Sequence, residues 1–300
     1  MYVMPSAPQS IGGVIDDAIR LYRNSFSRCW LLALVPSALY GAVMLAAARA
    51  APHYGVAGGQ GAQFLATQQA FGRGMLGYFA IVMVLMIAFQ GAILVRQAAI
   101  ARGDESVSLA RAVATGFARM PLFILSLMLF YLGLMGGVIV IMLVVALPVG
   151  WVLNHQHLLV RPVMTAGMVV IVLIPMLYLM GRLLLFAVAL FVDRKGPKDA
   201  LTTSWQLTKG HWWRAMAIIG VGTVIITVLF IVIAVLNDVF AFVTHFGGSY
   251  RLFAFPLILA VFYTFMYPMG PALFVAMYHD FKLRREGGDL AARVGALNSA

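Results

Sequence analysis

Acidic residues are scarce in this 300-residue sequence, with ten Asp and Glu against 21 Lys and Arg. None of the ten lies within a long apolar run, so no carboxylate sits where ion-coupled carriers commonly place one, near the membrane midplane. Charge of either sign is thin, at 10% of residues, whereas soluble domains carry about 25%. Cysteine occurs once, at Cys29, which excludes an intrachain disulfide, a thiolate metal cluster and a redox pair. Beside Trp30, that thiol reads as an inert residue at a membrane edge. No serine–histidine–acid set, phosphate loop or pair of catalytic carboxylates can be assembled. The chain is therefore read as non-enzymatic and without a cofactor.

Apolar residues fill the gap. They make up 63% of the chain, and the mean hydropathy is +0.95. No water-soluble fold of this size hides so much apolar surface, because a large share of any soluble surface is polar. The expected class is an all-α integral membrane protein forming a single membrane domain over residues 1–300. Residues 1–28 carry Asp16, Asp17, Arg20, Arg23 and Arg28 and lack the apolar core of a cleavable signal peptide.

Six transmembrane spans are expected, at 30–48, 75–95, 121–147, 163–192, 215–236 and 253–278, with 279–300 as a tail. The fourth would reach about 45 Å as a straight helix, against a hydrocarbon core of about 30 Å. It must tilt, kink at Pro175 or project from the membrane.

Sixteen of the Lys and Arg residues fall before the first span, between the second and third, between the fourth and fifth, and in the tail. Four (Arg49, Arg73, Arg161, Arg251) fall on the other side. Basic loops stay in the cytoplasm, so the chain is expected in a bacterial inner membrane with both termini cytoplasmic. The same rule accounts for the net charge of +11 without nucleic acid as a partner; membrane lipids are the partners expected.

The segments ahead of the first, third and fifth spans alternate apolar and polar residues at helical spacing. In the first, residues 11–28, Ile11, Val14, Ile15, Ala18, Leu21, Tyr22 and Phe26 oppose Asp16, Asp17, Arg20, Arg23, Asn24 and Ser27. Such helices lie in the headgroup plane. The three also share a loose pattern: Ala18, Leu21, Arg23, Phe26; Ala114, Phe117, Arg119, Leu122; and Ser204, Leu207, Lys209, Trp212. A threefold repeat of interfacial helix plus hairpin is expected from it.

Two candidate sites follow. Residues 200–214, ALTTSWQLTKGHWWR, concentrate Trp205, Lys209, Trp212, Trp213 and Arg214. Indole rings suit the headgroup layer and cations reach lipid phosphates. Both a headgroup site and a plain anchor setting the depth of the fifth span fit this pattern. The second is an intramembrane polar site at Arg182, with Gln90, Tyr178, Tyr263, Tyr267 or a lipid phosphate as its partner. In a straight fourth span Arg182 lies about 16 Å from the polar edge at Asp193, where a cation costs at least ~2.5 kcal/mol unless it pairs or reaches water. His155 and His157 form an HxH pair without a nearby acid or cysteine, so no metal is assigned. The glycines at 133, 137, 220 and 222 are expected to allow close helix packing.

Three polar stretches are familiar together: IGGVIDDAIRLYRNSF at 11–26, ALTTSWQLTKGHWWR at 200–214 and AMYHDFKLRREGGDL at 276–290. With them the chain resembles a bacterial family of multi-span proteins, the membrane domain of glycerophosphoryl diester phosphodiesterase and its uncharacterised relatives. The resemblance implies a six-helix inner-membrane domain and no established activity of its own. In family members that are phosphodiesterases, a separate soluble barrel carries the catalytic acids and histidines. That barrel is not expected here, and no catalytic residue carries over.

The function expected is a role in envelope or lipid homeostasis through headgroup contacts, the alternative being a passive transporter or channel for a small solute or lipid. A reporter enzyme active only outside the cytoplasm, fused after Ala300, is expected to stay silent; full activity there would reverse the orientation.

Overall fold

In hydrocarbon every backbone N–H and C=O needs a partner within the protein, and apolar runs of this length meet that need as helices. The computed structural model describes residues 4–50, 73–104, 106–154, 160–243 and 248–298. Among the described residues the elements are α1 (Ile11–Ala50), α2 (Arg73–Ala101), α3 (Leu109–Asn154), α4 (Val160–Leu183), α5 (Phe186–Phe191), α6 (Pro197–Leu207), α7 (Trp212–Val243), α8 (Gly248–Met266) and α9 (Met269–Asn298), with no strand. Six stretches are long and apolar enough to cross a membrane: Ile11–Val43, Ala80–Ala101, Leu109–Val140, Leu173–Phe191, Trp212–Leu236 and Leu257–Arg285. The chain is thus an all-α, multi-span membrane protein.

The helix ends differ from those expected. Residues 11–28 are not a separate helix but the first half of α1. Val14, Ala18, Leu21, Ser25, Cys29 and Ala33 form one uninterrupted buried stripe, and no glycine or proline between 14 and 35 stops the helix. The second such segment likewise runs into α3 without a break. Only the third is set apart, by a turn in which Gly210 takes φ +80°, a conformation that favours glycine. The first two segments thus continue into their spans and the third does not, so the pattern they share marks no common helix boundary.

The fourth and sixth spans are interrupted. α4 passes through Pro175 and ends at Leu183, and the short α5 takes over at Phe186. The sixth span breaks between Met266 and Met269.

Two compact units make up the described chain. The first draws on Met1–Met120 and Ile218–Leu283. In it α1 packs against α2 and α8, and Leu32, Ala33, Ala92, Ile93 and Ala112 form a core. Lipid tails are as apolar as leucine, so close backbone approach rather than hydrophobic exclusion holds membrane helices together. The contact faces are accordingly small: Ser25, Cys29, Ala33 and Ser37, each one turn after the last, are all buried on α1. Cys29 therefore belongs to the packed face of α1. On α3, a Cβ at Gly116 would run into the carbonyl oxygen of Ala88 on α2.

The break in the sixth span lies in this unit and is closed by side chains. Tyr22 Oη donates to the Phe265 carbonyl at 2.8 Å, which a continuous helix would have paired with residue 269. Gln97 is fully buried and donates through Nε2 to the Pro268 carbonyl at 2.9 Å and to Ser25 Oγ at 3.2 Å. Tyr267 Oη donates to the Met86 carbonyl at 3.0 Å. Residues just after the N-terminus are strapped to α9: His279 Nε2 donates to the Pro5 carbonyl at 2.9 Å, and Gln9 N to Asp280 Oδ1 at 2.8 Å.

The α2–α3 loop is short and internally paired. Ser106 donates its hydroxyl and its N–H to Asp104 Oδ1, which holds that carboxyl below its usual pKa, and Ser108 Oγ caps α3 by accepting from Arg111 N.

The second unit draws on Pro121–Ala217 and Arg284–Ala300. In it α6 packs on α5 and α4, and Phe123 stacks on Phe186 with ring centroids 5.2 Å apart.

The glycine pairs expected to mediate packing do so only in part. Nothing among the described residues would meet a Cβ at Gly133, Gly137 or Gly220, whereas one at Gly222 would press on Leu273. G116V is expected to lower the unfolding midpoint of the detergent-solubilised protein, by about 1–3 kcal/mol of overpacking, while G133V leaves it nearly unchanged. Thermal melts of the two variants decide it, and greater damage from G133V would restore the GxxxG reading.

Candidate functional site

Helix α4 loses its regular bonding two residues after Arg182, because Leu184 and Leu185 form a turn before α5. Its last carbonyls would be stranded among apolar side chains. α6 supplies the missing donors. Ser204 Oγ donates to the Arg182 carbonyl at 2.9 Å and accepts from Leu185 N at 3.0 Å. Thr208 Oγ1 reaches the same carbonyl at 3.0 Å, sharing its proton with the Ser204 carbonyl at 2.8 Å. One serine thus joins both sides of the break.

α6 is shaped for this docking. Gly196 enters it in extended conformation, Pro197 opens the first turn and Asp199 follows near the positive end of the dipole. Ala200, Ser204 and Leu207 are buried, at the spacing of one helix face. Thr202, Trp205 and Gln206 are exposed on the other.

The guanidinium of Arg182 lies over the Trp205 indole, 4.2 Å from the ring centroid, with the Tyr178 ring at 5.7 Å. Trp212 closes on Tyr178 at 5.3 Å and 76°, and Trp213 follows at 4.7 Å from Trp212. Gly181 lets the start of α7 come close, since a Cβ there would stand 2.8 Å from Met216 Sδ. Arg182 is only 4% exposed, and its Nε is buried without a hydrogen-bond partner. Among the described residues no carboxylate pairs with it. A cation facing an aromatic ring gains about 0.5–2 kcal/mol, less than the several kcal/mol that desolvation of an ion costs.

The two candidate sites expected separately are thus largely one. Arg182 and Tyr178 meet Trp205 and Trp212 in a single cluster. Trp213 is 72% exposed, Lys209 is exposed at the turn after α6, and Arg214 is half-buried. Gln90 does not join this cluster's unit. It lies half-buried on α2 in the other, to which Tyr263 on α8, packed edge-on to Tyr40, and Tyr267 in the break of the sixth span also belong. The depth expected for Arg182 assumed an unbroken helix, and the interruption at Leu184 removes that premise. Ser204 entered the sequence reading only through the pattern shared by the three segments, and Thr208 and Gly181 were not singled out. The one signal available was two hydroxyls four residues apart, at Ser204 and Thr208. His155 and His157 lie outside the described residues.

Residues 154–285 match the family model described as the membrane domain of glycerophosphoryl diester phosphodiesterase. The match takes in the whole Arg182 cluster and part of the 276–290 stretch, while 11–26 lies outside it. No curated protein and no solved structure matches the chain.

S204A is expected to destabilise the protein by about 1–2 kcal/mol, the upper range for a hydrogen bond between membrane helices. A double-mutant cycle over R182Q and W205L should show a coupling of about 1 kcal/mol. Additive effects in thermal melts would mean that the stacked pair is not energetically joined.

Proposed function

We propose that this membrane domain is a non-enzymatic component of a bacterial inner membrane, acting in envelope or lipid homeostasis through contacts between residues 200–214 and lipid headgroups. The observation that carries the proposal is the arrangement around the α6–α7 turn. A docked helix places the exposed Lys209 and Trp213 at the point where an apolar span begins. An indole there settles at the headgroup layer and an ammonium reaches phosphate.

The anchor reading and the headgroup reading share this geometry. What favours contact with a ligand is the buried Arg182 behind the surface pair, since an anchor has no use for a desolvated cation. The matched family model describes a membrane domain and not a hydrolase domain, which agrees with a non-enzymatic part. Strapping of Pro5 and Gln9 onto His279 and Asp280 puts the segments near both termini on one side of their unit, in keeping with cytoplasmic termini.

A passive path for a hydrated solute has less support. The cavity of about 650 Å³ between α7 and α8 is lined by apolar side chains, Leu236, Phe240, Ile258 and Phe265 among them. It offers nothing in place of a hydration shell and suits an acyl chain better.

Lipid retained by the purified protein should be enriched in anionic phospholipid over the bulk membrane. K209A combined with W213A should bring that enrichment down several-fold while the unfolding midpoint holds. Mass spectrometry of extracted lipid reads the enrichment, and a thermal melt reads the midpoint. A composition equal to the bulk membrane for the unaltered protein would remove the proposal.

A further inference from the structure

Arg182 combines three properties that a structural arginine seldom needs together. It is buried, its Nε lacks a partner, and no carboxylate among the described residues balances its charge. Its backbone carbonyl is satisfied by Ser204 and Thr208, so the side chain is not occupied in closing the helix break. The guanidinium carbon lies over the Trp205 ring, 4.2 Å from its centroid. Donors of a guanidinium point outward in its plane, and a stacked ring leaves that edge free to meet a planar or tetrahedral oxyanion.

We propose that Arg182 is the primary cation of a discrete binding site for a phosphate ester, with Trp205 as the residue that holds the guanidinium plane. The ligand's phosphoryl oxygens accept from the Arg182 edge. Such an anion supplies the charge that the protein itself does not, and the exposed Lys209, four residues beyond Trp205, is a second cation in the same segment. The phosphate belongs either to a phospholipid headgroup or to a soluble phosphate ester, and the recognition chemistry is common to both. This site rests on the headgroup reading above but is narrower. It requires one saturable ligand that depends on Arg182, where general enrichment through Lys209 and Trp213 does not.

The test uses the full chain in detergent micelles free of phospholipid. Tryptophan fluorescence is followed while inorganic phosphate, glycerol phosphate, short-chain phosphatidylglycerol or short-chain phosphatidylcholine is added. A saturable change is expected with a phosphate ester, absent in W205F, weakened roughly ten- to hundredfold in R182Q, and partly kept in R182K, which preserves the charge without the planar fork. If R182Q fails to fold, R182K and W205F carry the comparison. Response to the soluble esters identifies a soluble ligand; response to the lipids alone identifies a headgroup. Binding of equal strength in the unaltered protein, R182Q and R182K overturns the site, as does a complete lack of saturable binding. Neither result touches the enrichment measured for K209A with W213A, so failure of the site and failure of the wider reading are told apart.

Discussion

A carbonyl freed by an interrupted helix has no water to turn to inside a membrane, so a side chain has to replace the lost donor. The structure is organised around that requirement at two places. In one unit Tyr22 and Gln97 meet the carbonyls of Phe265 and Pro268. In the other Ser204 and Thr208 meet that of Arg182. An unpaired group in hydrocarbon costs several kcal/mol, whereas each bond made between membrane helices contributes about 0.6 kcal/mol on average. The pairing therefore acts mainly as a condition that must be met, and secondarily as a source of stability.

The polar stretches that stand out along the chain take their meaning from those breaks. Tyr22 belongs to the stretch at 11–26 and closes the sixth span. Ser204, Trp205 and Thr208 belong to the stretch at 200–214 and close the fourth. His279 and Asp280, in the stretch at 276–290, hold the N-terminal strap. Each distinctive segment supplies at least one side chain that pairs with backbone elsewhere in the chain. Once Ser204 and Thr208 have satisfied the backbone, Arg182 remains as a surplus cation over an indole. That surplus separates the proposed ligand site from ordinary structural repair.

Packing follows a second rule with less visible sequence signals. The close contacts use Ser25, Cys29, Ala33 and Ser37 on α1 and Gly116 on α3, and Gly133 and Gly137 are not among them. Four-residue spacing of small side chains is common in membrane helices. Which stripe meets a neighbour depends on how the helices rotate, and a motif such as GxxxG records only the local spacing.

Solvent, fold class and span number were legible from residues alone, because composition and the length of apolar runs act locally and add up along the chain. Arg182 and the tryptophan-rich stretch were legible as separate oddities for the same reason. Their union was not, since Arg182 and Ser204 are 22 residues apart, and Tyr22 and Phe265 are 243 apart. Only the tertiary structure decided where the spans break and which hydroxyl or amide closes each break. Hydrogen bonding over such separations depends on which helices come to lie side by side, and no local pattern encodes that.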